Sequence, residues 1–157
     1  MKRKSKKADT VKVHGMFRLN LLENGKIVGD SGWRSNVITD LGFDQYICQT
    51  LLGMAGSKKI TYMGIGTGTA PTSAQTSLDG ELASRVTIAT NTVASHTAQC
   101  AASFSSSVFS SQGPKTIDNI GLWNTASGGT MFAGSTFASS QWNTNQDLVA
   151  TYQIRFS

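Results

Sequence analysis

Charged side chains are scarce in this sequence of 157 residues: 15% are Asp, Glu, Lys or Arg, against about 25% in an ordinary globular domain. Serine, threonine, asparagine, glutamine and 16 glycines take their place, so we expect a neutral surface rich in hydroxyl groups. Because the chain holds only nine Asp and Glu residues, an acid–base active site has few places to form. This scarcity weighs against an enzyme, and we expect no catalytic residues.

Cysteines and long apolar runs are also scarce. The two cysteines, Cys48 and Cys100, are too few for a disulfide framework, and we expect both to be free thiols. No run of about 18 apolar residues is present that could span a membrane. The N terminus lacks the apolar stretch of a secretory signal, which indicates synthesis in a reducing cytosol. The length favours one domain, since domains usually contain about 100–200 residues.

Positive charge is concentrated at the N terminus. Five of the 14 Lys and Arg residues are Lys2, Arg3, Lys4, Lys6 and Lys7. Residues 1–10 therefore form a basic arm that, with Asp9 included, carries most of the net charge of +5, and residues 11–157 form a nearly neutral, single β-rich domain. Such an arm can bind an acidic surface by releasing counterions. An acidic protein partner is favoured over nucleic acid, because no aromatic side chain interleaves the basic ones to stack on bases; a solvated arm is the alternative.

Alternation of apolar and polar residues predicts strands along most of the chain. The clearest lies over 147–156, where every second residue from Leu148 to Phe156 is apolar, the pattern of a half-buried antiparallel strand. Asn24-Gly25 predicts a tight hairpin turn near the start. Further strands are predicted over 60–65, 85–92, 94–104, 117–123 and 130–137.

One segment has a helical pattern instead. After Asp40, which can cap a helix, Phe43, Ile47, Leu51 and Met54 recur at helical spacing, and Gly53 or Gly56 can end the helix. Seven or eight strands and this helix predict a mainly β fold: an antiparallel β-sandwich or jelly-roll-like domain with one short α-helix covering an end.

Three segments, 67–79, 103–111 and 138–145, are predicted to be long loops. Long ordered loops on a rigid sandwich usually make contacts. The last of them contains Trp142 amid polar residues. Its indole is expected either to pack at the base of the loop or to serve as an interface or receptor contact, for instance by stacking on a sugar.

Motifs for metal, phosphate or nucleophilic chemistry are weak. His14 and His96 are far apart and lie in no paired Cys or His motif. The glycine-rich run over 64–68 lacks a following Lys-Ser or Lys-Thr, so it predicts a strand exit where the backbone passes close to a neighbour. No Gly-x-Ser-x-Gly elbow is present. We therefore expect no metal site and no cofactor.

Several segments, taken in order, resemble a known family. They are GWRSNVITDLG (32–42), TYMGIGTGTAP (61–71), TSLDGEL (76–82), IDNIGLWN (117–124), ASGGTM (126–131) and a closing strand that ends in YQIRF (152–156). Over residues 15–156 the chain resembles virion structural proteins of tailed bacteriophages. The basic arm lies outside the resemblance.

The resemblance implies a non-enzymatic virion component made in the host cytoplasm. The first hypothesis is a capsid decoration or cement protein that binds and stabilises the capsid lattice as a small homo-oligomer, for instance a trimer. Its partners would be the major capsid protein or other virion proteins, with no membrane involved. The alternative is a tail, baseplate or fibre module that binds a host-surface receptor or glycan.

Overall fold

The computed structural model of the protein describes residues 10–82, 84–109 and 113–157, so the basic side chains from Lys2 to Lys7 lie outside the described residues. In chain order the strands are β1 (Val13–Glu23), β2 (Lys26–Asp30), β3 (Arg34–Ser35), β4 (Val37–Ile38), β5 (Tyr62–Gly66), β6 (Val86–Thr87), β7 (Thr90–Ala94), β8 (Thr97–Phe104), β9 (Lys115–Trp123), β10 (Met131–Trp142) and β11 (Gln146–Phe156).

Two antiparallel sheets contain these strands. The first has the order β2-β1-β11-β8-β7, with β3 also paired to β1, and the second has the order β4-β10-β9-β5-β6. The structure therefore confirms a mainly β fold consistent with a sandwich. Among the described residues, no helix is long and apolar enough to cross a membrane.

The core lies between the two sheets. Phe17 and Tyr152 of the first sheet are at most 1% exposed, as are Phe132 and Ile120 of the second, and the rings of Phe132 and Tyr152 meet edge to face with centroids 6.1 Å apart. Burying a large apolar side chain contributes about 1.5–3 kcal/mol. In β11 the predicted alternation is confirmed from Leu148 to Ile154, whereas Phe156 at the strand end is 39% exposed.

Hairpin turns account for two features of the strand pattern. Asn24 and Gly25 have φ angles of 50° and 75°, which confirms the predicted tight turn between β1 and β2. Ser95 and His96 have φ angles of 47° and 59° and form a second such turn between β7 and β8. The single strand predicted over 94–104 is wrong at its start for this reason, because Ser-His is not a typical sequence for a turn with positive φ angles.

The strand predicted over 85–92 is divided between the sheets. The Ile88 N–H donates to Thr61 O at 2.8 Å, next to β5 in the second sheet, whereas the Ala89 N–H donates to Ala101 O at 3.0 Å in the first sheet. The chain therefore crosses from one sheet to the other at this point, and β6 and β7 are separate strands. Apolar alternation cannot show such a crossing, because it does not depend on which sheet a strand joins.

The predicted helix is present, but its buried face and its cap differ from the prediction. A π-helical segment, Gly42–Cys48, continues into the short helix α1, Gln49–Leu51. Tyr46 is buried, whereas Phe43 and Leu51 are 39% and 80% exposed, because the i→i+5 bonding of a π-helix changes the angular spacing of side chains. The Thr39 hydroxyl, not the Asp40 carboxylate, accepts the Gly42 N–H at 2.9 Å.

The three predicted loops have different outcomes. The segment 67–79 contains neither helix nor strand, as predicted. The segment 103–111 contains the end of β8 and a short helix, α2 (Ser106–Phe109). The loop predicted over 138–145 is wrong, because β10 continues to Trp142 after a register shift between Thr136 and Ser140. Such a bulge interrupts the alternation from which strands are predicted.

Candidate interaction surfaces

A group of contacts on the second sheet, here called the brace and formed by Thr69, Asp79, Glu81, Arg85 and Asn119, brings together four of the six segments that carry the resemblance, 61–71, 76–82, 117–124 and 126–131. Asn119 and Trp123 alternate in β9 with the core residues Ile120 and Leu122, so they lie on the face turned away from the core. The fully buried Asn119 amide donates from Nδ2 to Asp79 O at 2.9 Å and to Thr69 O at 3.3 Å. Segment 67–82 is thereby held across this outer face.

Glycines allow the segment to lie directly on the strand. A Cβ added at Gly66 would lie 2.4 Å from Asn119 Oδ1, and one added at Gly68 would lie 2.4 Å from Asp79 O. Any other residue at these positions would therefore push the segment away. The prediction that the run over 64–68 marks a close backbone approach is confirmed.

Asp79 completes this part of the brace. Its Oδ2 accepts hydrogen bonds from both the N–H and the Oγ1 of Thr69, each at 3.0 Å. These bonds lower the pKa of the Asp79 carboxyl below its ordinary value. In the neighbouring strand, burial raises the pKa of Asp118, and the charge of Asp79 raises it further.

An arginine forms the other end of the brace. Arg85 binds Glu81 through two hydrogen bonds, from Nε at 2.5 Å and from Nη2 at 3.0 Å, and its Nη1 donates to Thr125 O and Gly128 O at 3.1 and 2.6 Å. Its guanidinium carbon lies 3.8 Å from the centroid of the Trp123 ring. The Arg85 side chain is only 6% exposed, so water competes little for these contacts.

The brace covers a small apolar cluster of its own. Leu78, Trp123 and Met131 are at most 4% exposed and form a group separate from the main core. The segment 67–82 therefore has an apolar contact beneath it as well as polar contacts at both ends. The carboxylates of Asp79 and Glu81 bind different partners, Thr69 and Arg85.

The outer face of the first sheet is rich in amide groups. Gln99 of β8 and Met16 of β1 both lie opposite Gln153 of β11, and directly opposed residues share a face. Gln153 donates from Nε2 to Gln99 Oε1 at 2.6 Å, and Arg155 donates to Gln153 Oε1 from Nε and Nη2 at 3.1 and 2.6 Å. These bonds hold long side chains in place and give the sheet an ordered polar surface.

The end of the helix presents an apolar tip, formed by Leu51, Leu52 and Met54. These side chains are 80%, 76% and 50% exposed. Gly53 between them has a φ angle of 60°, which a glycine adopts readily and which ends the helix as predicted. Adjacent exposed apolar side chains are typical of interaction sites.

Trp142, the predicted interface or receptor contact, lies in the core. Its side chain is 3% exposed, its Nε1–H donates to Gln146 O at 2.6 Å, and its ring meets Phe104 edge to face at 6.4 Å between centroids. The indole therefore presents no surface to a partner in this structure. Of the two interpretations of this residue, packing is the one that its burial supports.

Among the described residues, the cysteine and histidine side chains form no candidate metal site. Cys48 and Cys100 are both free, as predicted, the first exposed and the second buried, and burial raises the pKa of Cys100 to about 12. In the part of the chain that the structure describes, no three His, Cys, Asp or Glu residues are grouped so that they could hold a metal ion.

The chain was compared with known protein families, curated proteins and solved structures. No protein-family model, curated protein or solved structure matches the chain. The family resemblance therefore stays a prediction that depends on the sequence segments themselves.

Proposed function

We propose that the protein is a structural component of a tailed-bacteriophage virion, acting as a capsid decoration or cement protein that binds and stabilises the capsid lattice as an oligomer. The observation that carries the proposal is the brace. Segments that resemble phage virion proteins, and that are about fifty positions apart in sequence, are in direct contact through Asn119, Thr69 and Asp79. The resembling residues of these segments therefore lie together in one part of the structure, which supports reading the resemblance as a single feature.

The physical character of the domain suits this role. A protein that binds a repeated lattice in many copies needs a rigid body, and the contacts that an uncharged body makes should depend little on salt. The two-sheet core supplies rigidity, and the hydrogen-bonded glutamines Gln99 and Gln153 supply an ordered polar face. Contacts made by uncharged groups are only weakly screened by salt.

The start of the described chain indicates which end of the domain would meet the shell. The Lys12 N–H donates to Ser157 O at 2.7 Å, so the chain enters the first sheet beside its own last strand. His14 and Arg155 are paired across strands at this end, whereas Glu23 and Asp147 lie at the opposite end of the same two strands. Lys12 and Arg155 give this end positive charge, and the basic arm immediately precedes it in sequence, so an acidic patch of the capsid would bind there.

The position and copy number of the chain in a particle map would test the proposal. We expect density for the domain at every symmetry-equivalent site of the capsid lattice, with its positive end toward the shell. Density confined to the tail or baseplate, or absence from purified particles, would contradict a decoration role.

Removal of the arm tests the mechanism. We expect deletion of residues 1–7 to weaken binding to capsids that lack the protein by about tenfold or more at low salt. The difference from the full chain should shrink as salt is raised, because the contact is electrostatic. As a control, Lys26→Gln removes one positive charge at the opposite end of the sheet and should leave binding unchanged. Equal binding of the deleted and full chains would exclude the arm as a contact.

The receptor-binding alternative has lost its main support. It relied on the loop predicted over 103–111 and on an exposed aromatic side chain at Trp142, and the Trp142 side chain is buried. A tail or fibre module is therefore retained only as an outcome of the particle map.

A further inference from the structure

Strand β7 is an unprotected sheet edge. It is the outermost strand of the first sheet, beside β8 alone, and all five of its residues are exposed. One side of an edge strand carries N–H and C=O groups without a strand partner. Residues 88–96 contain no Asp, Glu, Lys, Arg or Pro, and the pairing of β7 with β8 runs from Thr90 to Ala94 without a register shift.

The other edges in the described part of the chain are protected. At the opposite end of the same sheet, β2 carries Lys26 and Asp30, and its pairing with β1 contains a register shift between Leu21 and Leu22. The edges of the second sheet, β4 and β6, are two residues long. Charges, irregular pairing and short length are the devices by which proteins keep edges from pairing, and β7 has none of them.

An uncovered apolar surface lies beside this edge. Val93 is paired with Ala98, and Asn91 with Cys100, so their side chains face the same way as Cys100, which is buried in the core. Val93 is nevertheless 83% exposed. The first sheet therefore extends beyond the second at β7, and a cavity of about 220 Å³ lies there, lined in part by Ile60 and Ile154.

We propose that β7 pairs with β7 of a second copy of this chain, so that the first sheets of two protomers join into one continuous sheet. Antiparallel pairing about a two-fold axis matches an edge with itself, and Val93 of each copy would then cover apolar surface of the other. This pairing gives the oligomer of the proposed function a specific interface, but it does not depend on where the assembly is located.

The chemistry of the edge favours a second copy over the other available occupants. The basic segment 1–9 has five Lys and Arg residues and, apart from Met1 and Ala8, no apolar side chain to cover Val93. The segment 110–112 is Ser-Ser-Gln and is too short and polar for this purpose. Since residues 88–96 are uncharged, two identical edges approach each other without like-charge repulsion.

Mass measurement of the purified full chain by sedimentation tests the interface. We expect the wild-type protein to change with concentration from one copy of 16.7 kDa to two. Val93→Lys should weaken this association by about tenfold or more, because it places a charge on each side of the joined edge. The matched control is Val28→Lys on the protected edge β2, where Val28 is 54% exposed, and it should leave the mass unchanged.

Hydrogen exchange gives a second measurement that needs no variant. The backbone amides of β7 should exchange more slowly in the dimer than in the monomer, while those of β2 should not change. A wild-type chain that remains a monomer at every concentration would overturn the proposal. So would a trimer, an oligomer unaffected by Val93→Lys, or β7 amides whose exchange is independent of concentration. A particle map tests location separately, so either proposal can fail without the other.

Discussion

At the scale of single residues, the two cysteines differ in exposure and in thiol reactivity, although the sequence predicts a free thiol for both. Cys48 is exposed in the helical segment, whereas Cys100 is 7% exposed and its pKa is raised to about 12 by burial. The thiolate is the reactive form. At neutral pH we therefore expect a thiol reagent such as Ellman's reagent to modify one cysteine quickly in the folded protein and both in denaturant. Two fast thiols in the folded state would show that the β8 side of the core opens to solvent.

Single residues also show where prediction from sequence works and where it fails. The free state of both cysteines and the turn at Asn24-Gly25 were predictable, because each depends on local chemistry. Packing of Trp142 was one of two expectations, but its place at the end of a strand was not predictable, because a bulge in β10 interrupts the alternation there and its sequence neighbours are polar. The capping role of Thr39 was also missed, since Asp40 is an equally good capping residue on sequence grounds.

At the scale of elements, the brace should contribute measurably to stability. We expect Arg85→Lys to lower the free energy of unfolding by about 2 kcal/mol, because lysine cannot reproduce the two-point contact with Glu81 and the bonds to the 125–128 turn. Urea unfolding followed by tryptophan fluorescence would measure this change. Arg34→Lys is the control, since Arg34 is exposed and its Nε donates to a single carbonyl, Ser31 O. Equal costs for the two substitutions would mean that the brace adds nothing to stability.

Elements were predictable only as far as their patterns are local. Alternation located most strands, yet it could not show that the chain changes sheets at Ile88 and Ala89. The helix was recognised, but its π-helical geometry turned Tyr46 inward and Phe43 outward. The exposure of Val93 depends on how far the second sheet extends. The residues next to Val93 in the sequence give no information about that extent. The family resemblance drew attention to the segments that form the brace, but it did not predict that they are in contact, and the atoms that Gly66 and Gly68 approach could be identified only from the fold.

At the scale of the whole molecule, stability toward acid combines groups with opposite effects. The hydrogen bond from Arg18 lowers the pKa of Asp30 to about 2, with a further contribution from the Gly32 N–H. Burial and the nearby Asp79 raise the pKa of Asp118. A carboxylate whose pKa is lowered by folding stabilises the fold at pH values above the ordinary Asp pKa of about 3.9. This stabilisation is lost as the pH falls through the folded-state pKa. A raised pKa destabilises the fold at neutral pH and is relieved as the carboxyl takes up a proton.

Two matched substitutions separate these effects. We expect Asp30→Asn to lower the midpoint temperature of unfolding at pH 7 by a small amount, because the Arg18 pair is exposed to solvent, and the difference from wild type should vanish as pH falls through about 2. We expect Asp118→Asn to raise the midpoint at pH 7, and the gain should fade as the pH falls through the raised folded-state pKa of Asp118. It should be lost below the ordinary Asp pKa, since the carboxyl is then protonated in both states and is neutral like the amide. Thermal unfolding followed by circular dichroism between pH 2 and 7 would measure both curves. If the two variants shift the midpoint in the same direction at neutral pH, the opposite pKa shifts of Asp30 and Asp118 do not control the acid stability of this fold.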